Sequence, residues 1–199
     1  IESTYILSNR QFGFRKGHST EMAVTEAISF ITRALNDKKN VLSVNMDLSK
    51  AFDTINHEIL CRKLGKYGLS GNVLNWFSSY LSNRKQSVRF NNTVSSQQTI
   101  HCGVPQGSNL GPLLFILYIN DLYLVSNTCD SILYADDCSL FFKFSKNDRN
   151  IVTHVNNTLN NFSDWFSCNH LALNVNKTNY MVFSGKRSTL IPGIALNGT

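Results

Sequence analysis

Between residues 41 and 47, apolar and polar side chains alternate along the chain. This period of two predicts a strand whose apolar face carries Leu42, Val44 and Met46. The polar face ends with Asp47, which therefore stands at the end of the strand. We expect the apolar face to pack on helices, and we expect Asp47 to lie either in solvent or in a cleft.

A pair of acids separates two further apolar runs. Residues 131–135 and 138–144 are rich in aromatic and branched side chains, which predicts two strands with Asp136 and Asp137 at the tip of a hairpin. One interpretation is an ordinary polar turn, because aspartate is common in turns. The other is functional, since Asp47 also ends a strand, and strand ends that deliver carboxylates can hold divalent metal ions against a phosphate.

Apolar side chains recur at helical spacing elsewhere in the chain. This spacing predicts helices at about residues 20–37, 56–66, 73–81, 110–125 and 152–166. Ser19 or Thr20 would cap the first helix, whose apolar stripe includes Val24 and Ile28. The last helix is long and amphipathic, and we expect it to cover the sheet.

Turn-forming residues connect these elements. Residues 86–90 and 93–101 are predicted to pair as a hairpin across Asn91-Asn92, and residues 179–184 form a late strand. The segment 103–112 holds three glycines and two prolines, and such a loop lets backbone approach a ligand closely. It lacks the Gly-Lys-Ser/Thr of a P-loop, so nucleotide hydrolysis of that type is not indicated.

Composition narrows the class of protein. The 199 residues suffice for one core, and a hydrophobic content of 42% is typical of a globular chain. Lysine and arginine number 19 against 13 acids, and the formal charge of +6 suits a polyanionic partner. No apolar run reaches membrane-spanning length. The odd number of cysteines without a CxxC motif predicts a reduced, intracellular protein, nuclear or cytoplasmic.

Three stretches carry a family resemblance. Residues 46–53 (MDLSKAFD), 103–108 (GVPQGS) and 134–137 (YADD) resemble, in order and approximate spacing, the motifs of reverse transcriptases, in particular those of non-LTR (LINE-type) retrotransposons. The opening residues 11–15 and the late residues 173–178 are also similar to that family. A Tyr-x-Asp-Asp stretch alone is weak support, whereas five motifs in the right order are specific.

The resemblance implies a catalytic role for several residues. Asp47 and Asp136 would hold the metal ions together with the backbone carbonyl of Leu48, and Asp137 would complete the acidic set. Lys177 lies in the motif from which a lysine protonates the departing pyrophosphate, although a plain surface lysine is an equal alternative.

The resemblance also implies a nucleotide site. Phe52 would lie under the sugar of the incoming nucleotide, where a 2′-hydroxyl would clash, and Ala51, Gln106 and Gly107 would belong to the same site. The implied cofactors are two Mg²⁺ ions, with Mn²⁺ as a substitute, because hard cations prefer oxygen ligands. The implied partners are an RNA or DNA template with its primer, and dNTP.

The expected fold is α+β, a polymerase palm with a small, mostly antiparallel sheet and helices packed on one face, plus part of the fingers and no thumb. The whole chain, 1–199, would form a single partial reverse transcriptase domain. Its palm core would comprise residues 41–58 and 101–184, with fingers or palm elements at about 1–40 and 60–100. Residues 185–199 would be a loop and the start of an incomplete following segment.

The sequence leaves open two alternative functions and the role of the loop 11–18. A viral RNA-dependent RNA polymerase is disfavoured by Phe52 and by Tyr134-Ala135, because those enzymes use a small or polar sugar-contacting group and glycine before the acidic pair. A catalytically dead, retroelement-derived nucleic-acid-binding module is disfavoured by the intact acids. The basic loop 11–18 either contacts a phosphate backbone or places its aromatic residues in the core.

Overall fold

A four-stranded antiparallel sheet forms the centre of the computed structural model, which describes residues 6–185 and 193–195. The helices are α1 (Thr20–Asn36), α2 (His57–Lys66), α3 (Gly71–Leu81), α4 (Gly111–Tyr118) and α5 (Ile151–Cys168). The strands are β1 (Asn40–Met46), β2 (Leu48–Ser49), β3 (Lys85–Gln86), β4 (Arg89–Phe90), β5 (Thr93–Val94), β6 (Gln98–Thr99), β7 (Asp130–Tyr134), β8 (Asp137–Phe144), β9 (Ala172–Leu173) and β10 (Asn179–Phe183).

The order of strands in the central sheet is β10-β1-β8-β7, and every pairing is antiparallel. Met46, the last residue of β1, lies opposite Cys138 near the start of β8. Tyr134 lies opposite Asp137, so that Ala135 and Asp136 alone form the β7–β8 turn. The end of β1 and this turn therefore lie at the same edge of the sheet.

Helices cover both faces of the sheet, which differs from the expected covering of one face. On one face, Leu42 and Phe142 belong to a large core shared with α2, α4 and α5. On the other face, Val41 and Phe141 pack with Phe30 of α1. The two-faced burial arises because β1 carries apolar side chains at Val41 and Leu42, on opposite sides of the pleat.

The buried side of α1 also differs from the predicted stripe. Val24 and Ile28 are 56% and 57% exposed, whereas Ala23, Phe30 and Ala34 are buried against the sheet. This helix has apolar residues on more than one side. The side of α1 that contacts the sheet carries Ala23 and Ala34. Small side chains at a contact let a helix pack close to its neighbour, which favours this side over the one with Val24 and Ile28.

Local signals placed the other elements well. Ser19 Oγ accepts a hydrogen bond from the Met22 backbone N–H, and α1 begins at Thr20 as predicted. Asn91 and Asn92 adopt φ angles of 43° and 62° in the tight turn between β4 and β5, which confirms the predicted hairpin.

Helix α4 ends at Tyr118, earlier than expected, and Leu122–Leu124 form a separate 3-10 turn.

The last predicted segment lies mostly outside the described residues. Of residues 186–199, the structure describes 193–195, where the Ala195 N–H donates to Asn156 Oδ1 on α5. Within the described ranges, no helix combines the length and the apolar character needed to cross a membrane.

A buried lysine joins α2, α4 and α5. Lys63 Nζ donates hydrogen bonds to the Tyr118 carbonyl at 2.7 Å and to Asp121 Oδ1 at 2.6 Å. The same ammonium lies 4.6 Å from the ring centroid of Trp165. Burial lowers the pKa of Lys63, and the contact with Asp121 opposes that effect. Such a cation is tolerated because it is paired and hydrogen-bonded.

We expect Lys63→Met to lower the free energy of unfolding by about 2–3 kcal/mol. The loss is expected because the Asp121 carboxylate and the Tyr118 carbonyl would each lose a hydrogen-bond partner. Lys66→Met on the exposed side of α2 is the matched control, with an expected change within about 0.5 kcal/mol. Urea unfolding of both variants measures the difference, and equal stabilities would contradict this account.

Candidate active site

Three carboxylates converge at one edge of the sheet. Asp47 directly follows β1, Asp136 lies in the β7–β8 turn and Asp137 begins β8. Because Met46 pairs with Cys138, the residues that flank this pair, Asp47 and Asp137, lie close to each other. The pKa of Asp137 is raised, first by partial burial and then by the negative charges of Asp136 and Asp47. Residues from two distant parts of the chain thus share one electrostatic environment.

Asp47 is held from a third part of the chain. Asn174 Nδ2 donates to Asp47 Oδ2 at 3.1 Å, and the Asn174 backbone N–H donates to the Asp47 carbonyl at 2.8 Å. Lys177 Nζ lies 3.5 Å from the same Oδ2. The family resemblance implied a catalytic role for Lys177 but gave Asn174 no role. The one signal in the sequence that could have indicated this role is the position of Asn174, three residues before Lys177.

The Leu48 carbonyl points away from the strand that pairs with it. In an antiparallel ladder, successive residues direct their backbone groups alternately to the two sides. The Asp47 carbonyl accepts from Asn174, and Leu48 then lies opposite Leu173 in the β2–β9 pair. On that alternation the Leu48 carbonyl faces the opposite side from β9, so it is not used by this ladder.

The opening loop supports the acidic turn, a role that sequence reasoning missed. Gln11 Oε1 accepts hydrogen bonds from the backbone N–H groups of Ala135 at 3.0 Å and Gly13 at 2.8 Å. Ala135 itself has a φ of 55°, in the left-handed region. Arg15, one of the two cations of the loop 11–18, donates through Nη1 to the carbonyls of Ser8 and Gln11.

The predicted nucleotide residues come together in part. Phe52, Gln106 and Gly107 line one cavity of about 250 Å³. The ring of Phe52 stacks on Phe115, with centroids 4.5 Å apart. Ala51 does not line this cavity. Its side chain is 3% exposed and belongs to the core, so it contributes to the position of the neighbouring Phe52 and not to a cavity wall.

Gln106 is positioned by the segment that carries Phe52. Its Nε2 donates to Asp53 Oδ1 at 2.7 Å. The Val104 N–H donates to the Phe52 carbonyl at 2.9 Å, which attaches the glycine-rich loop to residues 51–53. A side chain at Gly103 would overlap the Asp53 backbone, so only glycine permits this approach.

Asp47 and Asp137, but not Asp136, line a second cavity that is separate from the first. It has a volume of about 490 Å³, and its lining includes Asp47, Asp137 and Lys177. Side chains of α1, among them Val24, form its apolar wall. Asp47, Asp137 and Lys177 therefore line one cavity, and the nucleotide candidates Phe52, Gln106 and Gly107 line another.

The donor set fits divalent cations. Carboxylate and carbonyl oxygens are the ligands that hard cations prefer. Partial burial, and then the negative charges of Asp136 and Asp47, raise the pKa of Asp137, and the only cation within 4.0 Å of the Asp47 carboxylate among the described residues is Lys177. Within the same residues, no group of three or more His, Cys, Asp or Glu side chains is arranged as a metal site. Two carboxylates with backbone carbonyl and water ligands are consistent with both observations.

Comparison with known proteins decides the family. The sequence profile described as "Reverse transcriptase (RNA-dependent DNA polymerase)" matches residues 1–195. The chain belongs to the reverse transcriptase family. This reverse transcriptase chain is 33% identical to the "Probable RNA-directed DNA polymerase from transposon X-element" of Drosophila melanogaster, over 96% of the chain and 21% of that protein.

Further relatives are polymerases of the same kind of mobile element. The "Probable RNA-directed DNA polymerase from transposon BS" of Drosophila melanogaster is 37% identical over 69% of this chain and 16% of that protein. The "RNA-directed DNA polymerase from mobile element jockey" of Drosophila funebris is 29% identical over 100% of this chain and 22% of that protein. The resemblance to non-LTR retrotransposons is confirmed, and the chain spans about a fifth of these relatives' length.

Telomerase structures are among the solved structures that share this fold. Telomerase from Candida tropicalis in complex with a TWJ fragment of telomeric RNA superposes with a TM-score of 0.67, over 88% of this chain and 30% of that chain. Telomerase from Candida albicans, also with a TWJ fragment, gives 0.62 over 91% and 32%. Because the sequence identities are only 14% and 16%, these superpositions bear on the fold alone. They confirm the predicted α+β reverse transcriptase architecture.

Proposed function

We propose that this reverse transcriptase chain is the core of an RNA-directed DNA polymerase that transfers deoxynucleotides to a primer 3′-hydroxyl. The convergence of Asp47, Asp136 and Asp137 from distant parts of the chain is the observation that carries the proposal. Carboxylates grouped in this way repel one another unless cations neutralise them, and nucleotidyl transfer needs such cations beside the reacting phosphate.

Asp47, Asp136 and the Leu48 carbonyl would hold the metal. Two Mg²⁺ ions, or Mn²⁺ in their place, supply activation of the 3′-hydroxyl and neutralisation of the triphosphate when bound. Asn174 keeps the Asp47 carboxylate in place through its hydrogen bond to Oδ2. Asp137, whose pKa is raised first by partial burial and then by its two acidic neighbours, adds to the local negative charge.

The incoming nucleotide would meet Phe52, Gln106 and Gly107. These residues line the 250 Å³ cavity, and the stacking on Phe115 fixes the Phe52 ring. A fixed ring under the sugar would exclude a 2′-hydroxyl by contact, which favours dNTP over rNTP.

A basic groove would bind the template backbone. It has a volume of about 830 Å³ and is lined by Lys50, Arg84, Lys85 and His101, with one acid, Asp53, and polar neighbours that include Gln106. Cationic side chains contact phosphates without reading sequence, so this groove suits an RNA or DNA template with its primer.

Lys177 would donate a proton to the departing pyrophosphate. Its ammonium lies 3.5 Å from Asp47 Oδ2, and Lys177 lines the same cavity as Asp47 and Asp137. We expect Lys177→Met to lower kcat about 10²-fold with little change in the KM for dNTP. Lys146→Met, an exposed lysine outside the site, is the control. A Lys177 variant with the kcat of that control would remove the lysine from this role.

A homopolymer-templated extension assay tests the proposed function. Poly(rA) primed with oligo(dT) is incubated with dTTP and Mg²⁺, for this chain and for a version lengthened at both ends to the size of its relatives. The expected result is Mg²⁺-dependent extension with dTTP and not with UTP. Salt-dependent binding of the template without any extension would instead identify a nucleic-acid-binding module and overturn the proposal.

A further inference from the structure

The opening loop extends the sheet edge that carries the catalytic turn. The Leu133 N–H donates to the Arg10 carbonyl, and the Phe12 N–H donates to the Leu133 carbonyl, each at 2.8 Å. Gln11, between them, forms a parallel bridge with Leu133 and is 1% exposed. A polar side chain buried to this extent requires hydrogen-bond partners.

The partners of Gln11 are the backbone groups of the turn. Its Oε1 accepts from the Ala135 N–H at 3.0 Å, and its Nε2 lies 3.4 Å from the Ala135 carbonyl, within donating distance. Ala135 is a non-glycine residue at a φ of 55°, a conformation that persists only where the surroundings support it. Asp136 follows immediately, so the orientation of the Ala135 peptide sets where its carboxylate points.

The next residues of the loop reinforce this contact. A side chain at Gly13 would overlap the Ala135 backbone nitrogen, so only glycine allows the loop to lie against the turn. The ring of Phe14 meets the ring of Phe52 edge-on, with centroids 6.1 Å apart. One four-residue segment thus touches both the acidic turn and the nucleotide cavity.

We propose that Gln11 is a positioning residue for nucleotidyl transfer, which acts by holding the Ala135 peptide so that Asp136 and Asp137 face Asp47. This inference rests on the proposed function. Gln11 differs from an ordinary buried glutamine because both hydrogen-bonding groups of its side chain bond to the backbone of Ala135 in the turn. Gln11 touches neither substrate nor metal in this role.

The test compares two buried amides that tie down the same segment. Gln11→Met removes the contacts with the turn. Asn120→Met is the matched control, because Asn120 is 5% exposed and bonds to the backbone of Ile6 and Ser8 but not to the turn. Both variants are made in the lengthened protein. Rates are expressed per active enzyme, which is counted from the burst of the first nucleotide addition.

For Gln11→Met we expect kcat per active enzyme to fall about 10–100-fold, as for residues that orient metal ligands. The Mg²⁺ concentration that gives half-maximal rate should rise about tenfold, with template Kd and the KM for dNTP within about twofold. Asn120→Met should lower thermal stability and leave kcat per active enzyme and the Mg²⁺ dependence unchanged. Parallel changes in the two variants, or an unchanged Gln11→Met, would overturn the inference.

A second variant protects the test against misfolding. Gly13→Ala should displace the Ala135 peptide and reproduce the loss, whereas Gly65→Ala, whose added Cβ would meet Leu74 Cδ2 at an ordinary contact distance of 3.7 Å, should not. If Gln11→Met does not fold, Gly13→Ala decides, and a wild-type kcat for that variant overturns the inference. An inactive parent protein would refute the proposed polymerase activity, whereas an active parent with normal Gln11 and Gly13 variants would refute only the role of the loop.

Discussion

Replacing Asp136 by asparagine should abolish primer extension by the lengthened protein and leave template binding in place. The amide keeps the size of the side chain but removes the negative charge at the point where three carboxylates gather. Losing one charged metal ligand removes several kcal/mol of transition-state stabilisation, and about 4 kcal/mol corresponds to a rate loss of about 10³-fold. The basic groove lined by Lys50 and Arg84 is untouched by the change, so template affinity should stay the same.

Asp164→Asn is the control for this variant, because Asp164 is an exposed acid on α5, outside the site. It should extend primers at the parent rate. Extension is measured on poly(rA)/oligo(dT), and binding is measured by fluorescence anisotropy of the labelled primer–template. An Asp136→Asn protein that still polymerises would remove Asp136 from the metal site.

Phe52→Ala should let the enzyme incorporate ribonucleotides. The ring lines the small cavity with Gln106 and Gly107 and is held in place by Phe115. Truncation leaves space where a 2′-hydroxyl would otherwise make contact. We expect the ratio of kcat/KM for dTTP over that for UTP to fall about 10²-fold, because exclusion by a rigid contact is lost when the contact is removed.

Phe52→Tyr is the control, because it changes the residue but keeps the aromatic ring. It keeps an aromatic ring of the same width in the stack on Phe115, so sugar discrimination should stay within about threefold of the parent. Circular dichroism checks that the alanine variant folds, since the stacked ring also contributes packing. Unchanged discrimination in a folded Phe52→Ala protein would assign the choice of sugar to another residue.

Local patterns account for much of the fold. The alternation in residues 41–47 predicted β1, and the paired apolar runs predicted the β7–β8 hairpin, because a strand's period is written in adjacent residues. Ser19 predicted the start of α1, since a capping side chain bonds to backbone within three residues, and the structure shows that Asn56 caps α2 in the same way.

Predictions that depended on distant contacts were less complete. The side of α1 that packs on the sheet was wrong at Val24 and Ile28, because several sides of the helix are apolar and only the neighbouring strand selects among them. Ala51 lies in the core and not in the nucleotide cavity, and here too the contacts with distant residues decide which way the side chain is buried. The placement of Asp47 beside Asp137 depends on the β1–β8 register, which a hydrophobic pattern restricts but does not specify alone.

The order of five motifs, the two acidic strand ends and the type of most elements were determined by the sequence itself, because each depends on residues that are neighbours along the chain. The tertiary structure alone decided which side of α1 is buried, that Lys63 bonds across to Asp121, and that Gln11 holds the peptide of Ala135. Gln11 and Ala135 are separated by 124 positions, and such a hydrogen bond leaves no periodic trace in either segment. It exists only because the sheet brings the two segments together.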